Sequence, residues 1–415
     1  MLLRKLWRTM GTYKAQFISM IIMIALGIGI FIGFNIEWYS LEKNSDSFLR
    51  ETNFADYRIV SESGFSADDV QNVLSVDGVK ASSRFISECR RQGEGRRLVA
   101  LTAENPDVSS FITVDGDGYD PTVRTGSGLK KYADANGIAV GDTLTFVYRN
   151  AEITGKVRGL IRAGEYLICV RDETQLMPDP DTYGFAYISP AMMKDALGFE
   201  FYPQINVISD TEKKDFCERI DSAFGKTMLI LSKDENISYS GASGEAEEGK
   251  TMSTVLPVMF LLIAVLTMVT TMHRLAAKEK TQIGTLKALG FKNRRILAHY
   301  TSYALMIGLV GSAFGIAFGF GVAYFIMNPN GSMGTYLDMP SWKLSLPWFC
   351  WIVLVGIIAL LTVIGFLSVR KMLAGCAADS LARIPQKVKP LRIEKRRFST
   401  ASVSASAEPA RHHAS

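Results

Sequence analysis

The chain has 415 residues, of which 21% are charged and 48% are hydrophobic, and its formal net charge is +5. The excess cations flank long apolar runs, so they give no argument for a nucleic-acid partner. Five cysteines and four histidines show no Cys-x-x-Cys or His-x-x-x-His spacing, which argues against a zinc site.

Four apolar runs are long enough to cross a membrane. They cover Phe17 to Ile36, Val255 to Met272, Leu305 to Met327, and Leu346 to Leu367. Each has roughly the 18 to 25 residues that a helix needs to cross a hydrocarbon core about 30 Å thick. We interpret the first run as an uncleaved anchor and not as a secretory signal. Its apolar core is too long for a signal, and Asn35 to Trp38 offer no small-residue cleavage site.

The distribution of cations predicts the orientation. Four cations precede the first run and seven lie between the second and third runs, whereas the loop 328–345 carries only Lys343 and Asp338. Short loops rich in Lys and Arg stay in the cytoplasm. Both termini and the basic connector are therefore predicted to be cytoplasmic, and the long block 37–253 to lie outside.

The predicted fold class is a membrane α-helical protein with four transmembrane helices and a large α+β extracytoplasmic domain inserted between helices 1 and 2. The predicted segments are a cytoplasmic amphipathic N-terminus (1–16), transmembrane helix 1 (17–36), the extracytoplasmic domain with its stalk (37–253), transmembrane helix 2 (254–273), a cytoplasmic connector (274–299), transmembrane helix 3 (300–327), a short outer loop (328–345), transmembrane helix 4 (346–369) and a cytoplasmic tail (370–415), disordered toward its end.

Alternating apolar residues predict antiparallel strands in the middle of the outside block. The predicted strands are Thr143 to Tyr148, Glu152 to Val157 and Tyr166 to Val170. Helical patterns cover Ser66 to Val76, Pro190 to Leu197 and Thr211 to Phe224. The polar stretch from Asp234 to Lys250 predicts a stalk or flexible lead into the second run. Three outside cysteines, Cys89, Cys169 and Cys217, cannot all pair with one another, and we interpret them as small buried hydrophobes.

The connector between the second and third runs carries an apolar stripe. Ile283, Leu286 and Leu289 recur every third residue, and Gly290 follows where a short helix could end. The same connector has seven cations and one acid. An apolar stripe in so basic a loop predicts that the loop docks on a partner.

Small residues recur in two of the runs. Gly29 and Gly33 lie in the first run, and Gly311, Gly315 and Gly319 lie in the third. A spacing of four places each set on one face of its helix, where backbones approach closely. The pattern predicts tight helix packing or dimerisation.

Two apparent motifs do not support catalysis. Gly244 to Thr251 matches G-x-x-x-x-G-K-[ST], but no strand precedes it and its three glutamates would repel a nucleotide. Asp115, Asp117 and Asp120 lack the downstream glutamate of a calcium loop. The chain is therefore predicted to be non-catalytic and to bind no cofactor or metal itself.

The segment from Lys278 to Phe291, KEKTQIGTLKALGF, resembles the inner-loop signature of the FtsX-like, MacB-type permeases of ABC transporters. The order of parts is similar too, with one span, a large outside domain and three further spans. Gly137 to Leu144 is similar to the Val-Gly-Asp strand entry of that family, and Met177 to Gly184 resembles a segment of its long members. The resemblance extends from about Arg4 to Arg383 and implies a multi-pass protein of the bacterial cell membrane.

The resemblance implies a permease subunit that works with a separate cytosolic ATPase homodimer, which binds ATP and Mg. The connector would be a coupling helix, and its assigned residues are Glu279, Ile283, Leu286, Lys287, Leu289 and Gly290. The three apolar residues would be anchors buried in the ATPase, with the two charged residues at the rim. ATP-driven closure would move the outside domain and export or extract a peptide, lipid or lipoprotein-like amphiphile.

Two alternative functions stay open on sequence. One is an FtsX-like mechanical scaffold that activates an extracytoplasmic partner enzyme without transport. The other is a membrane-anchored sensor that needs no ATPase. Besides the ATPase, the expected partners are membrane lipid and a second permease copy or homologous half. The long family members repeat the permease pattern, so this chain is either a half-size permease that dimerises or a truncated reading of a longer one.

Overall fold

The structure is a computed structural model that describes residues 8, 10–91, 97–105, 107–120, 122, 125–148, 151–172, 174–198 and 201–373. Within these ranges the helices are α1 (Lys14–Glu51), α2 (Ala67–Leu74), α3 (Lys130–Asn136), α4 (Pro190–Leu197), α5 (Lys213–Phe224), α6 (Ile237–Lys278), α7 (Lys280–Ala288), α8 (Asn293–Ile326), α9 (Ser332–Tyr336) and α10 (Phe349–Leu373). The strands are β1 (Tyr57–Val60), β2 (Val79–Arg91), β3 (Arg97–Ala103), β4 (Phe111–Gly116), β5 (Thr125–Leu129), β6 (Thr143–Tyr148), β7 (Ala151–Ala163), β8 (Tyr183–Ile188), β9 (Gln204–Ser209) and β10 (Leu229–Ser232).

Four of the described helices, α1, α6, α8 and α10, are long and apolar enough to cross a membrane. Their shared core contains one buried cluster that includes Ile28, Ile32, Met268 and Ile307. The α/β domain lies between α1 and α6 in the chain, which confirms the predicted architecture.

The sheet of the α/β domain is mixed. Its strand order is β10-β1-β9-β2-β3-β8-β5-β7-β4, and β6 pairs with β2 and β7. The β3–β8 and β5–β7 pairs are parallel, and the other pairs are antiparallel. The domain therefore has more parallel pairing than the predicted antiparallel strands indicated.

The strand predicted over Tyr166 to Val170 is wrong. A 3₁₀ turn covers Gly164–Tyr166, and no strand follows it before β8 among the described residues. Leu167 and Ile168 are buried with Leu41 of α1 in a cluster between the domain and the membrane helices. These two residues are apolar because they are buried against α1, and they do not belong to a strand.

The polar stretch predicted to be a stalk or a flexible lead is helical from Ile237 onward, as the first part of α6, which fits the stalk and not the flexible lead. The side chain of Asn236 caps this helix by accepting a hydrogen bond of 2.8 Å from the backbone N–H of Ser238. Ala242 and Ala246 are buried against α1, so the small residues of this stretch permit close helix packing. The apparent phosphate-loop match from Gly244 to Thr251 lies wholly inside α6, where its backbone is helical.

The three cysteines whose side chains the structure describes are free thiols. Cys169 and Cys350 are buried and Cys217 is partly buried. Burial raises the pKa of the Cys169 thiol well above its ordinary value, which makes it unreactive. The side chain of Cys89 and all of Cys376 lie outside the part that the structure describes.

Candidate functional site

The five glycines singled out in the membrane runs all lie where α1 meets α8. A Cβ added at Gly315 would lie 2.8 Å from Ile28 Cβ, and one at Gly319 would lie 2.7 Å from Ile32 Cβ. Gly311 makes a similar approach to Ile24, and Gly29 and Gly33 face Phe318 and Val322 of α8. The glycines bring two helices of the same chain together, so this packing requires no second copy.

The connector is fixed to the membrane helices at its start. Glu279, between α6 and α7, is only 3% exposed, and its Oε2 accepts a 2.5 Å hydrogen bond from Tyr300 Oη of α8. Ile283 is 4% exposed and belongs to the buried cluster of the membrane helices. Leu286 is partly buried against the same cluster. These contacts place the first half of the connector in the chain's own core.

The expected stripe therefore divides between two environments. Ile283 and Leu286 face the membrane helices, whereas Leu289 is 70% exposed. The reason is geometric: at about 100° per residue, six residues bring Leu289 about 120° away from Ile283 around the helix. In addition, α7 ends at Ala288, before Leu289 is reached. The three residues are not one docking face, and Glu279 is buried where a position at the rim was expected.

The exposed part of the connector is a short turn after α7. Gly290 has φ +82, a left-handed conformation that glycine adopts without strain, and Phe291 directly after it is 37% exposed. We call Leu289, Phe291 and the exposed cations that follow them the connector tip. Its cations are Lys292, Arg294 and Arg295.

Phe291 was not among the residues assigned from the sequence. It falls outside the three-residue repeat on which that assignment depended, although the dipeptide Gly-Phe after a short helix was visible. Lys287, which was assigned to the rim of the site, is half-buried in the structure. Two exposed apolar side chains beside three cations are the feature a partner protein could recognise.

A second contact joins the loop between α8 and α10 to the α/β domain. Asp338 of this loop is 3% exposed, and its Oδ1 lies 3.0 Å from Arg162 Nε of β7 and 3.9 Å from Lys131 Nζ of α3. Lys131 Nζ also donates to the backbone oxygens of Gly334 (2.6 Å) and Leu337 (3.0 Å). Burial raises the pKa of Asp338, while Lys131 and Arg162 act to lower it.

This buried ion-pair cluster ties the ends of two membrane helices to the domain. The backbone N–H of Asp338 also donates to the Leu167 oxygen at 2.8 Å, so both its side chain and its backbone bind the domain. In the sequence Asp338 served only to show how few charges the 328–345 loop carries. Its role as a domain contact depends on long-range pairing that no local pattern reveals.

Comparison with known proteins bears on the membrane part of the chain. Residues 254–375 match the family model described as FtsX-like permease C-terminal. The matched part of the chain is similar to the C-terminal part of FtsX-like permeases. It contains the membrane part of α6, the whole connector, α8 and α10, and it confirms the resemblance noted from Lys278 to Phe291. The match covers less than a third of the chain, and no curated protein matches in sequence.

Two solved structures are similar to the α/β domain. One is the extracellular domain of the noncanonic ABC-type transporter YknZ from Gram-positive bacteria, with 14% identity and a TM-score of 0.32, covering 43% of this chain and 98% of that one. The other is the periplasmic region of MacB from Actinobacillus actinomycetemcomitans, with 13% identity and a TM-score of 0.31, covering 45% of this chain and 92% of that one. Similarity at these TM-scores carries no argument about the activity of this chain.

Proposed function

We propose that the chain is the permease subunit of an ABC transporter and that its connector tip docks on a separate cytosolic ATPase. The observation that carries this proposal is the connector of the FtsX-like segment. Its first half is held in the membrane core by Glu279 and Ile283, while its tip presents Leu289 and Phe291 beside exposed cations. A partner that pushes on this tip would move α6 and α8 together, because both helices meet at the connector.

The helix α6 supports a mechanical route to the outside domain. It is continuous over 42 residues, or about 63 Å at 1.5 Å per residue, from the α/β domain to the connector, and Pro257 lies inside it. Ser238 near its start donates to the Glu165 backbone oxygen at 2.8 Å, which attaches the helix to the domain. Tilting of α6 would then displace the domain without a pore through the spans.

The proposal includes an orientation and partners. The termini and the connector would be cytoplasmic, by the excess of cations near the membrane. ATP and Mg would be bound by the ATPase homodimer, and this chain would supply no catalytic group. A symmetric ATPase dimer presents two docking sites, so a second permease copy or a homologous half would complete the assembly. The cargo class would be a peptide, lipid or lipoprotein-like amphiphile.

The test is the double variant Leu289→Glu/Phe291→Glu. Carboxylates placed in a desolvated docking groove lose hydration without gaining a partner. We expect recovery of the ATPase with the permease to fall about tenfold or more, measured by affinity purification from native membranes.

The control is Leu176→Glu, which places one carboxylate at an apolar side chain that is 86% exposed in the α/β domain. It should insert into the membrane and retain the ATPase. Undiminished ATPase recovery with the double variant would show that the connector tip is not the dock.

A further inference from the structure

A cavity of about 280 Å³ opens in the α/β domain beside the start of α6. Its walls come from β1, β2, β3, the 3₁₀ turn Gly164–Tyr166 and the first residues of α6. This cavity has no part in docking the connector tip. Three charged residues line it, Arg58, Glu165 and Glu235, and the Glu235 carboxylate is paired with Lys213 Nζ at 2.6 Å.

The Glu165 carboxylate is held rigidly from one side. Its Oε1 accepts hydrogen bonds from Ser109 Oγ at 2.8 Å and from Asn206 Nδ2 at 2.9 Å. Asn206 is fully buried, and Ser109 is 2% exposed. Ser109 has φ +50, a left-handed conformation that is uncommon outside glycine and is found at functional sites. Among the described residues none hydrogen-bonds to the second carboxylate oxygen, Oε2.

Arg58 contributes the positive charge of the cavity. Its one described hydrogen bond joins Nη2 to the backbone oxygen of Glu235 at 3.3 Å, and no described carboxylate lies within 4.0 Å of it. Burial raises the pKa of Glu165, while hydrogen bonds from Ser109 and Asn206 and the charge of Arg58 act to lower it. Arg58 and Glu165 therefore line the same cavity without forming an ion pair with each other.

We infer that this cavity binds the zwitterionic head group of a small α-amino acid. The ligand's ammonium group would pair with Glu165, and its carboxylate would take the planar guanidinium fork of Arg58. An apolar ligand side chain would pack on Phe85 and Leu101, which are 5% and 4% exposed.

Two physical arguments favour this ligand class. A charged group in a partly desolvated site is costly unless it is paired, and one zwitterion pairs both charges at once. The cavity is also at the small end of ligand sites, which run from about 300 to 1,000 Å³, so it suits a free amino acid better than a long peptide.

The position of the cavity gives binding a structural consequence. The backbone oxygen of Glu165 accepts from Ser238 Oγ at 2.8 Å, and the same hydroxyl accepts from the Ile168 N–H at 3.0 Å. An amino acid bound to Glu165 would therefore lie against the attachment point of α6. Ligand binding would therefore change the contacts at the start of α6, the helix that leads to the connector.

The test uses the full chain purified in lipid nanodiscs without any ATPase, titrated calorimetrically with glycine, L-alanine, L-leucine and L-phenylalanine. We expect at least one of these amino acids to bind. We also test isopentylamine, which is leucine without its carboxylate, and 4-methylpentanoate, which is leucine without its ammonium group. Each should bind at least about tenfold more weakly than the best of the four amino acids. Arg58→Met and Glu165→Gln should each lower the affinity for that amino acid about tenfold or more.

The control is Arg50→Met, which removes an arginine whose side chain is 84% exposed on α1, outside the cavity, and it should bind like the unaltered chain. Absence of binding for all four amino acids, or unchanged affinity in Arg58→Met, would overturn the inference. The titration contains no ATPase, so its result does not depend on the docking proposal. A chain that binds an amino acid here but recovers no ATPase in the affinity purification would contradict the docking proposal and leave this inference standing.

Discussion

The hydrogen bond between Glu279 and Tyr300 is one of the buried contacts that fix the connector to the membrane helices. Tyr300 is 1% exposed on α8, and Glu279 lies at the junction of α6 and α7. A hydrogen bond to a charged group contributes about 1.5–3 kcal/mol to stability. The contact therefore links the junction of α6 and α7 to α8 close to the point where we propose that the ATPase acts.

Replacing Tyr300 with Phe tests this contact. The Tyr300→Phe variant leaves a buried carboxylate oxygen without its tyrosine donor, so we expect the free energy of unfolding to fall by about 1–3 kcal/mol. Denaturant unfolding of the purified chain in detergent provides the measurement. Tyr324→Phe on the same helix, at a site 69% exposed, is the control and should change little. Equal stability of the two variants would contradict the account.

The connector also shows the limit of sequence reasoning at the residue scale. The basic loop and its helix could be predicted, because charge and periodicity are local properties of the sequence. Which side of the helix faces the membrane core could not be predicted, because Ile283 is buried in a cluster formed by helices from distant parts of the chain. The three-residue spacing predicts that Leu289 shares a face with Ile283, but α7 ends at Ala288 and Leu289 lies outside it.

At the scale of elements, the α1–α8 contact depends on glycines that permit close backbone approach. A Cβ added at Gly319 would lie 2.7 Å from Ile32 Cβ and 2.8 Å from the backbone oxygen of Gly29. In a membrane, helices associate through such close packing, since lipid offers no hydrophobic driving force between them.

Gly319→Leu tests the importance of this approach. Overpacking a tight interface typically costs about 1–3 kcal/mol, so the thermal midpoint of the purified chain in detergent should fall. Gly321→Leu is the matched control, because an added Cβ at Gly321, two residues further along α8, meets nothing within 4 Å. A midpoint that falls equally in both variants would indicate a general effect of leucine on the helix.

Several elements could be predicted from local pattern, and others could not. The strand β6 covers the predicted Thr143 to Tyr148, where alternation is clear, and α4 covers the predicted Pro190 to Leu197. The buried run at Leu167 was taken for a strand because burial against a helix gives the same apolar sequence as burial in a sheet. The small polar residues before the second span left a stalk and a flexible lead both open, because composition alone does not reveal that Ala242 and Ala246 pack closely in α6.

At the scale of the whole molecule, α1 runs into the α/β domain and packs on Leu167 and Ile168, and two further attachments join the membrane helices to the domain. One is α6, anchored at Ser238, and the other is the buried cluster around Asp338 in the loop between α8 and α10. Attachment at several separate points would transmit motion of the membrane helices to the domain.

Asp338→Ala tests the second attachment. Removing the carboxylate leaves Arg162 and Lys131 facing each other without their shared anion, and breaking a buried ion pair is strongly destabilising. We expect amide hydrogen exchange in residues 330–345 to rise at least about tenfold, measured by mass spectrometry. Asp210→Ala is the control, since Asp210 pairs with Lys80 at the surface with 76% of its side chain exposed. Unchanged exchange in the Asp338→Ala variant would show that the cluster does not hold the loop.

Docking of this chain on a separate ATPase is the claim from which the mechanical account follows. Affinity purification of the unaltered chain from its native membrane, with partners identified by mass spectrometry, tests it most directly. The account predicts recovery of a cytosolic ATPase that carries its own phosphate loop, in a complex with two permease copies or homologous halves. Recovery of the intact membrane protein without any ATPase would contradict it.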